Sequence, residues 1–238
     1  MTAQKPKTPP LTAARIAVVV LAGPVALAAA TAAGAVDTAR ALRAGRRPRI
    51  GSALMLGAAA TYVAAVPRIR GWGATAAERE GPMTGDETVT DPGVQHTRAV
   101  AIDAPAERVW PWLVQIGQDR AGFYSYTWLE NLVGCRMRNA DRIHPEWQQR
   151  AVGDTLLLHP QAGYEIVALE PGRALALEAA WYFAVEPDGP QASRLIARWR
   201  CPQGPLNTIF ALLFELPHFV MERKMLLGIK RRAEAARS

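Results

Sequence analysis

Two long apolar runs constrain this chain more than any other feature. Ile16 to Val36 gives 21 consecutive residues without a charge, and Ile50 to Pro67 gives another 18. At about 1.5 Å rise per residue the first run reaches roughly 30 Å, the thickness of a bilayer hydrocarbon core, and the second is near the lower limit. The direct reading is two membrane-spanning helices, over about 16–36 and 50–67. Between them stand Arg40, Arg43, Arg46, Arg47 and Arg49, which no core could bury unpaired, so this is a short polar turn at a membrane face. Pro24 predicts a kink that membranes tolerate. A secretory signal is the competing reading for the first run, with Lys5 and Lys7 ahead of it and small residues at Ala33-Gly34-Ala35. The run exceeds the usual length of about 7 to 15 residues, however, and a second one follows. The second run, rich in Ala, also fits an interfacial helix.

Charge separates the two parts of the chain. The whole carries 28 Lys plus Arg against 21 Asp plus Glu, net +7. Residues 1–70 hold 10 of the basic side chains and only Asp37, whereas residues 71–238 are net −2. The excess therefore flanks the membrane segments, where it meets anionic headgroups, and the remainder has no electrostatic footprint for nucleic acid. Orientation is not fixed by charge: the five Arg of the turn face Lys5, Lys7, Arg15, Arg68, Arg70 and Arg79 on the opposite side. The two cysteines, Cys135 and Cys201, exclude a disulfide framework and a four-cysteine zinc site. Read as unpaired, they favour a cytoplasmic carboxyl-terminal domain at the cell membrane.

Residues 71–95 are rich in Gly, Pro, Asp and Thr and read as a linker or wrapping segment between a membrane region, 1–70, and a domain over 96–238. His96 to Ile102 alternates as a strand. Asp103-Ala-Pro-Ala-Glu107 opens a helix, with Pro105 suited to its first position and Val109, Trp112, Leu113 and Ile116 on one face. Pro111 should bend it. A second short helix fits Tyr126 to Val133, with Ser125 as N-cap and Gly134 as stop. The period then changes to two. Thr155–His159, Gly163–Leu169, Ala174–Glu178, Trp181–Glu186 and Ser193–Cys201 are separated by turn residues, which predicts an antiparallel meander with one apolar and one wet face. A long helical stretch, Leu206 to Ala236 with Pro217 inside, ends the chain.

The order strand, two helices, five strands, long helix predicts an α+β fold: a curved antiparallel sheet gripping a long carboxyl-terminal helix, with a cavity between them. At this point the sequence resembles the START-like, or helix-grip, superfamily, also described as the SRPBCC or polyketide cyclase/dehydrase and lipid-transport group. The residues that carry the resemblance are Ala101-Ile-Asp-Ala-Pro-Ala-Glu-Arg-Val-Trp-Pro-Trp-Leu113, with support from Gly122-Phe-Tyr-Ser-Tyr-Thr-Trp-Leu-Glu-Asn-Leu132, Glu170-Pro-Gly-Arg-Ala-Leu175 and Ser193-Arg-Leu-Ile-Ala-Arg198. It covers about residues 95–236 and leaves the two membrane helices outside. What it implies is a hydrophobic-cavity domain; carriers, receptors and cyclases share that fold, so it selects no activity.

Trp112, Tyr124, Tyr126, Trp128 and Trp181 are the candidate apolar walls of a binding site, with Glu130 or Asn131 as polar anchor for a headgroup. These aromatics equally suit simple core packing, and Glu130 equally suits solvent. The expected ligand is a lipid or hydrophobic small molecule, next to the membrane. The alternatives are a cyclase/dehydrase-type enzyme, with His144 or Tyr126 moving protons, and a regulatory or assembly module whose Leu206–Leu216 segment meets a partner. Asp141, His144 and Glu146 read as readily as solvated loop residues. The sequence contains no HExxH, CxxC or paired-His spacing and no GxSxG, GxGxxG or Walker loop, so neither metal nor cofactor is expected.

Overall fold

A computed structural model of the chain describes residues 10–178 and 180–235, with side-chain surroundings from Val25 onward. Lys5 and Lys7 lie outside the described residues. The two apolar runs are helices: α1 spans Pro10–Arg43 and α2 spans Ile50–Arg70. The first is longer than its uncharged run. It continues without a break through position 24 and carries Arg40 and Arg43 on its last turn, where cations face the negative end of the helix dipole. The polar turn is thus only residues 44–49. Within these helices Val25–Arg43 and Ile50–Arg70 are long and apolar enough to cross a membrane, and both are almost entirely unburied by protein.

The domain follows the expected element order. Strand β1 (Pro92–Ile102) leads to α4 (Ala106–Val114) and α5 (Thr127–Leu132), then to β2 (Thr155–His159), β3 (Ala162–Glu170), β4 (Ala174–Leu177), β5 (Trp181–Pro187) and β6 (Ser193–Pro202), and finally to α6 (Pro205–Ala235). The six strands form one antiparallel sheet in the order β1-β6-β5-β4-β3-β2. This is an α+β fold with the carboxyl-terminal helix laid across the sheet. Pro105 is the N-cap of α4 rather than its first residue. Ser125 caps nothing: its hydroxyl donates to the carbonyl of Met221 on α6 at 2.9 Å, and Tyr126 takes the N-cap position of α5.

One sheet face packs against α4 and the carboxyl-terminal half of α6. Val109, Leu113, Leu175, Phe183, Leu195, Leu226 and Ile229 form that core with Trp112 and Tyr124. Gly228 lets the two backbones meet there, since a Cβ at this position would lie 2.5 Å from the carbonyl oxygen of Tyr124.

The opposite face was expected to be wet and is not. Residues 71–91, containing the short helix α3 (Ala76–Glu80), lie over it as a strap. Arg198, on the strand face that alternation assigns to solvent, is buried. It donates to the carbonyls of Glu78 (2.6 Å) and Gly81 (3.0 Å) and pairs with Asp86. Arg194 pairs with Glu78 at 2.7 Å, and Thr88 shares a hydrogen bond with Tyr182. The alternation itself is present; what a strand pattern cannot report is that the charged face acquires a polar cover whose carbonyls satisfy the guanidinium.

Candidate functional site

Between the sheet and the carboxyl-terminal half of α6 the expected space is filled with side chains. Open space lies further along, where the amino-terminal half of α6 meets α1 and α2. There a pocket of ≈ 1190 Å³ is walled by Phe123, Leu129, Val133 and Met137 from the α5 region, Trp181 and Trp199 from the sheet, and Leu213 and Met221 from α6. Ala32 of α1 and Tyr62 of α2 complete it. The two amino-terminal helices therefore contribute wall, which a reading of the domain by itself does not anticipate. The hydroxyl of Tyr62 donates to the carbonyl of Leu212 at 2.8 Å and ties α2 to α6 beside the pocket.

Few polar groups interrupt this lining. Glu130 is one: it is 9 % exposed, and its Oε2 has no hydrogen-bond partner among the described residues. Burial pushes its carboxyl up to about 7, because the charged form loses hydration that nothing replaces. Near neutral pH it is thus divided between an acid that donates and a carboxylate that accepts. The neighbouring Cys135 thiol is raised to about 11, by burial first and by the charge of Glu130 second.

A second polar region forms the inner wall. Arg98, fully buried on β1, pairs with both Glu215 and Glu222 of α6, the latter at 2.8 Å. Its Nε donates to the carbonyl of Ile69 at 3.0 Å, and Arg70 adds a 2.8 Å pair to Glu215. Trp181 donates its indole N–H to Glu222 at 2.7 Å. Burial opposes the charge of Glu222, but His218, Arg98 and His96 outweigh it and hold the carboxyl down at about 2. His96 and His218 sit against this network, 3.4 Å from Glu215 and 3.5 Å from Glu222. Burial lowers both imidazoles; Arg98 lowers His96 further, whereas at His218 the charge of Glu222 opposes the burial.

His96, His218 and Glu222 bring potential ligand atoms within 4.8 Å of one another, a constellation invisible to any spacing motif because His96 is on β1 and the others are on α6. It fits a divalent cation poorly. Arg98 already occupies Glu222, and two arginines balance the two carboxylates. The burial that disfavours a charge on either imidazole also opposes bringing in a further cation, since no carboxylate is left to balance it.

The sequence candidates are distributed unevenly about this pocket. Trp181 and Glu130 line it. Trp112 and Tyr124 are core residues, edge to face at 5.9 Å, and the Tyr124 hydroxyl accepts from Gln115 at 2.7 Å. Tyr126 is outside the lining, with the Lys224 ammonium 5.2 Å from its ring centre. Trp128 is 66 % exposed. Asn131 folds back on the chain, accepting from the Met137 N–H at 2.7 Å. His144 stacks on Trp147 at 4.0 Å and meets Glu146 at 3.1 Å, away from the pocket. Phe123, from the aromatic segment of residues 123–128, lines the pocket too, whereas sequence reasoning missed Trp199, His218, Met221 and Glu222. The available signal was on α6, where Glu215 and Glu222 stand seven residues apart within an otherwise apolar stretch, two turns on one helix face.

No family model and no curated protein matches the sequence. Among solved structures, the chain is similar to a conserved protein of unknown function from Enterococcus faecalis at 12 % identity, over 60 % of this chain and 73 % of that one, with a TM-score of 0.36. It is also similar to a polyketide cyclase-like protein from Corynebacterium glutamicum at 18 % identity, over 60 % of this chain and 92 % of that one, with a TM-score of 0.31.

Proposed function

We propose that this chain is a membrane-tethered helix-grip domain that binds a lipid or hydrophobic small molecule in the pocket beside α6, with Glu130 anchoring the polar end. The pocket itself carries the reading. Its volume of ≈ 1190 Å³ exceeds the usual range of about 300–1,000 Å³ for small-molecule sites, and such sites combine apolar walls with a few placed polar groups. A long-chain ligand suits this size, and a headgroup hydroxyl or amide would supply the partner that Glu130 Oε2 lacks. Tethering beside the bilayer shortens the path of a poorly soluble ligand.

Native mass spectrometry of the full chain, extracted from membranes in mild detergent, tests this. The expected result is a bound hydrophobic molecule on the wild type that is lost in Val133→Trp, which fills the pocket. A wild type that is always empty, or an adduct unaffected by the filling substitution, would overturn the proposal.

The enzyme reading keeps one specific support: a proton-moving group in the pocket is supplied by Glu130, poised near neutrality, in place of His144 or Tyr126. Cytoplasmic placement of the domain rests on the two buried free thiols, Cys135 and Cys201. A carboxyl-terminal reporter fusion active only outside the cell would reverse it.

A further inference from the structure

The amino-terminal half of α6 is the least expected surface of the domain. From Pro205 to Phe214 it contains no charged residue, and Leu206, Ile209, Phe210, Leu212 and Leu216 are exposed, Leu206 at 80 % and Ile209 at 54 %. We infer that this half of α6 is a third lipid-immersed element, so that the pocket opens onto acyl chains and its ligand enters sideways from the bilayer. The entry route rests on the ligand-binding reading above; the immersion rests only on its membrane tether.

Four observations identify lipid as what covers this face. First, α6 is fixed against the candidate spans at their own depth. Tyr62, which holds the Leu212 carbonyl at 2.8 Å, precedes Arg70 by eight residues, about 12 Å back along α2. Since Arg68 and Arg70 end that helix, Leu212 lies on the apolar side of the basic boundary. Second, the next residues mark the boundary on α6 itself. Glu215 is its first charge, and it is buried in pairs with Arg70 and Arg98, so no uncompensated charge enters the apolar zone. Third, the rim continues beyond α6: Leu132 of α5 lines the same pocket and is 70 % exposed, and Trp128 is exposed one turn earlier on that helix, a residue type enriched at membrane interfaces. Fourth, the length is that of an interfacial segment. Twelve residues from Pro205 to Leu216 give about 18 Å, short of the roughly 20 residues needed to span, which suits a helix lying in the headgroup–acyl boundary.

The experiment uses the full chain in phosphatidylcholine/phosphatidylglycerol vesicles. Single cysteines replacing Leu54 in α2, Ile209 in α6 and Gln191 in the β5–β6 turn are labelled with an environment-sensitive fluorophore; Cys135 and Cys201 are buried and serve as the unlabelled background. Quenching by lipids spin-labelled on the acyl chain is expected at Leu54 and Ile209, and quenching by aqueous iodide at Gln191. If Leu54 is lipid-quenched while Ile209 follows Gln191, the immersion is refuted and the tether stands. Blue-shifted emission at Ile209 without lipid quenching would instead assign the face to a protein partner or a second copy, which also refutes it. The ligand reading is judged separately by the mass-spectrometric load, which does not depend on any of these probes.

Discussion

Replacing Glu130 with Gln should make the domain more stable in base and leave it nearly unchanged in acid. The folded carboxyl titrates at about 7 against an ordinary value of 4.5. Between these values the native chain holds a proton that the unfolded chain has released, so stability falls as pH rises through the window and levels off above it. Taken at face value, the shift costs the folded state about 1 kcal/mol at pH 5 and about 3 kcal/mol at pH 8. The carboxyl faces an open pocket, and screening there reduces the difference between the two pH values to about 1 kcal/mol. For a domain of this size that is about 2–4 °C in melting temperature. Glutamine keeps the shape and cannot ionise. Melting the full chain in nanodiscs at pH 5 and pH 8 should therefore show the wild type losing about 2–4 °C more than Glu130→Gln. Other titrating groups, His96 and His218 included, are common to both proteins and cancel in the comparison. Parallel pH profiles would refute the burial argument, and with it the assignment of Glu130 as a half-ionised anchor.

Removing Arg98 leaves Glu222 buried without an arginine partner and Glu215 with Arg70 alone, so Arg98→Met should cost about 3–5 kcal/mol, read as a fall in melting temperature and faster proteolysis. Gly228→Ala places a methyl 2.5 Å from the Tyr124 carbonyl oxygen; prising α6 from the core should destabilise by about 1–3 kcal/mol, while Gly153→Ala, whose Cβ meets nothing but whose φ is +94°, should show only backbone strain of about 1 kcal/mol. Cys135 and Cys201 are buried, and burial raises both thiols. Neither should react with a maleimide in the native chain at neutral pH, and both should react after unfolding.

What could be read in the sequence was whatever is local. The strands β1 to β6 show their period of two, α4 its apolar stripe at Val109, Trp112, Leu113 and Ile116, and the meander its Gly and Pro turns; each signal is complete within about ten residues. What could not be read depends on partners far along the chain. Arg198 looks solvent-facing until residues 78–86 fold over it, and Arg98 meets Glu222 across 124 positions. Glu130 illustrates the same limit in the opposite direction. A Glu on a short helix is ordinarily wet, and only the assembled fold places it in the wall of the pocket. Pocket walls drawn from α1 and α2 lie outside any reasoning that treats the two amino-terminal helices and the domain as separate objects.

The strap bears on how the protein moves. The chain leaves α2 at Arg70, and by Trp72 its carbonyl already accepts from the Ala99 N–H of β1 at 3.0 Å. Arg98 grips the last turn of α2 through the Ile69 carbonyl, and a Cβ on Gly73 would strike the Ala99 carbonyl oxygen. No length of loose chain separates α2 from the sheet. A protein on a slack tether samples a hemisphere above the bilayer and finds its target by collision. Here the sheet is joined to α2 without slack, so with α2 in a bilayer, as proposed, a change in thickness that tilts α2 would turn the whole domain with it.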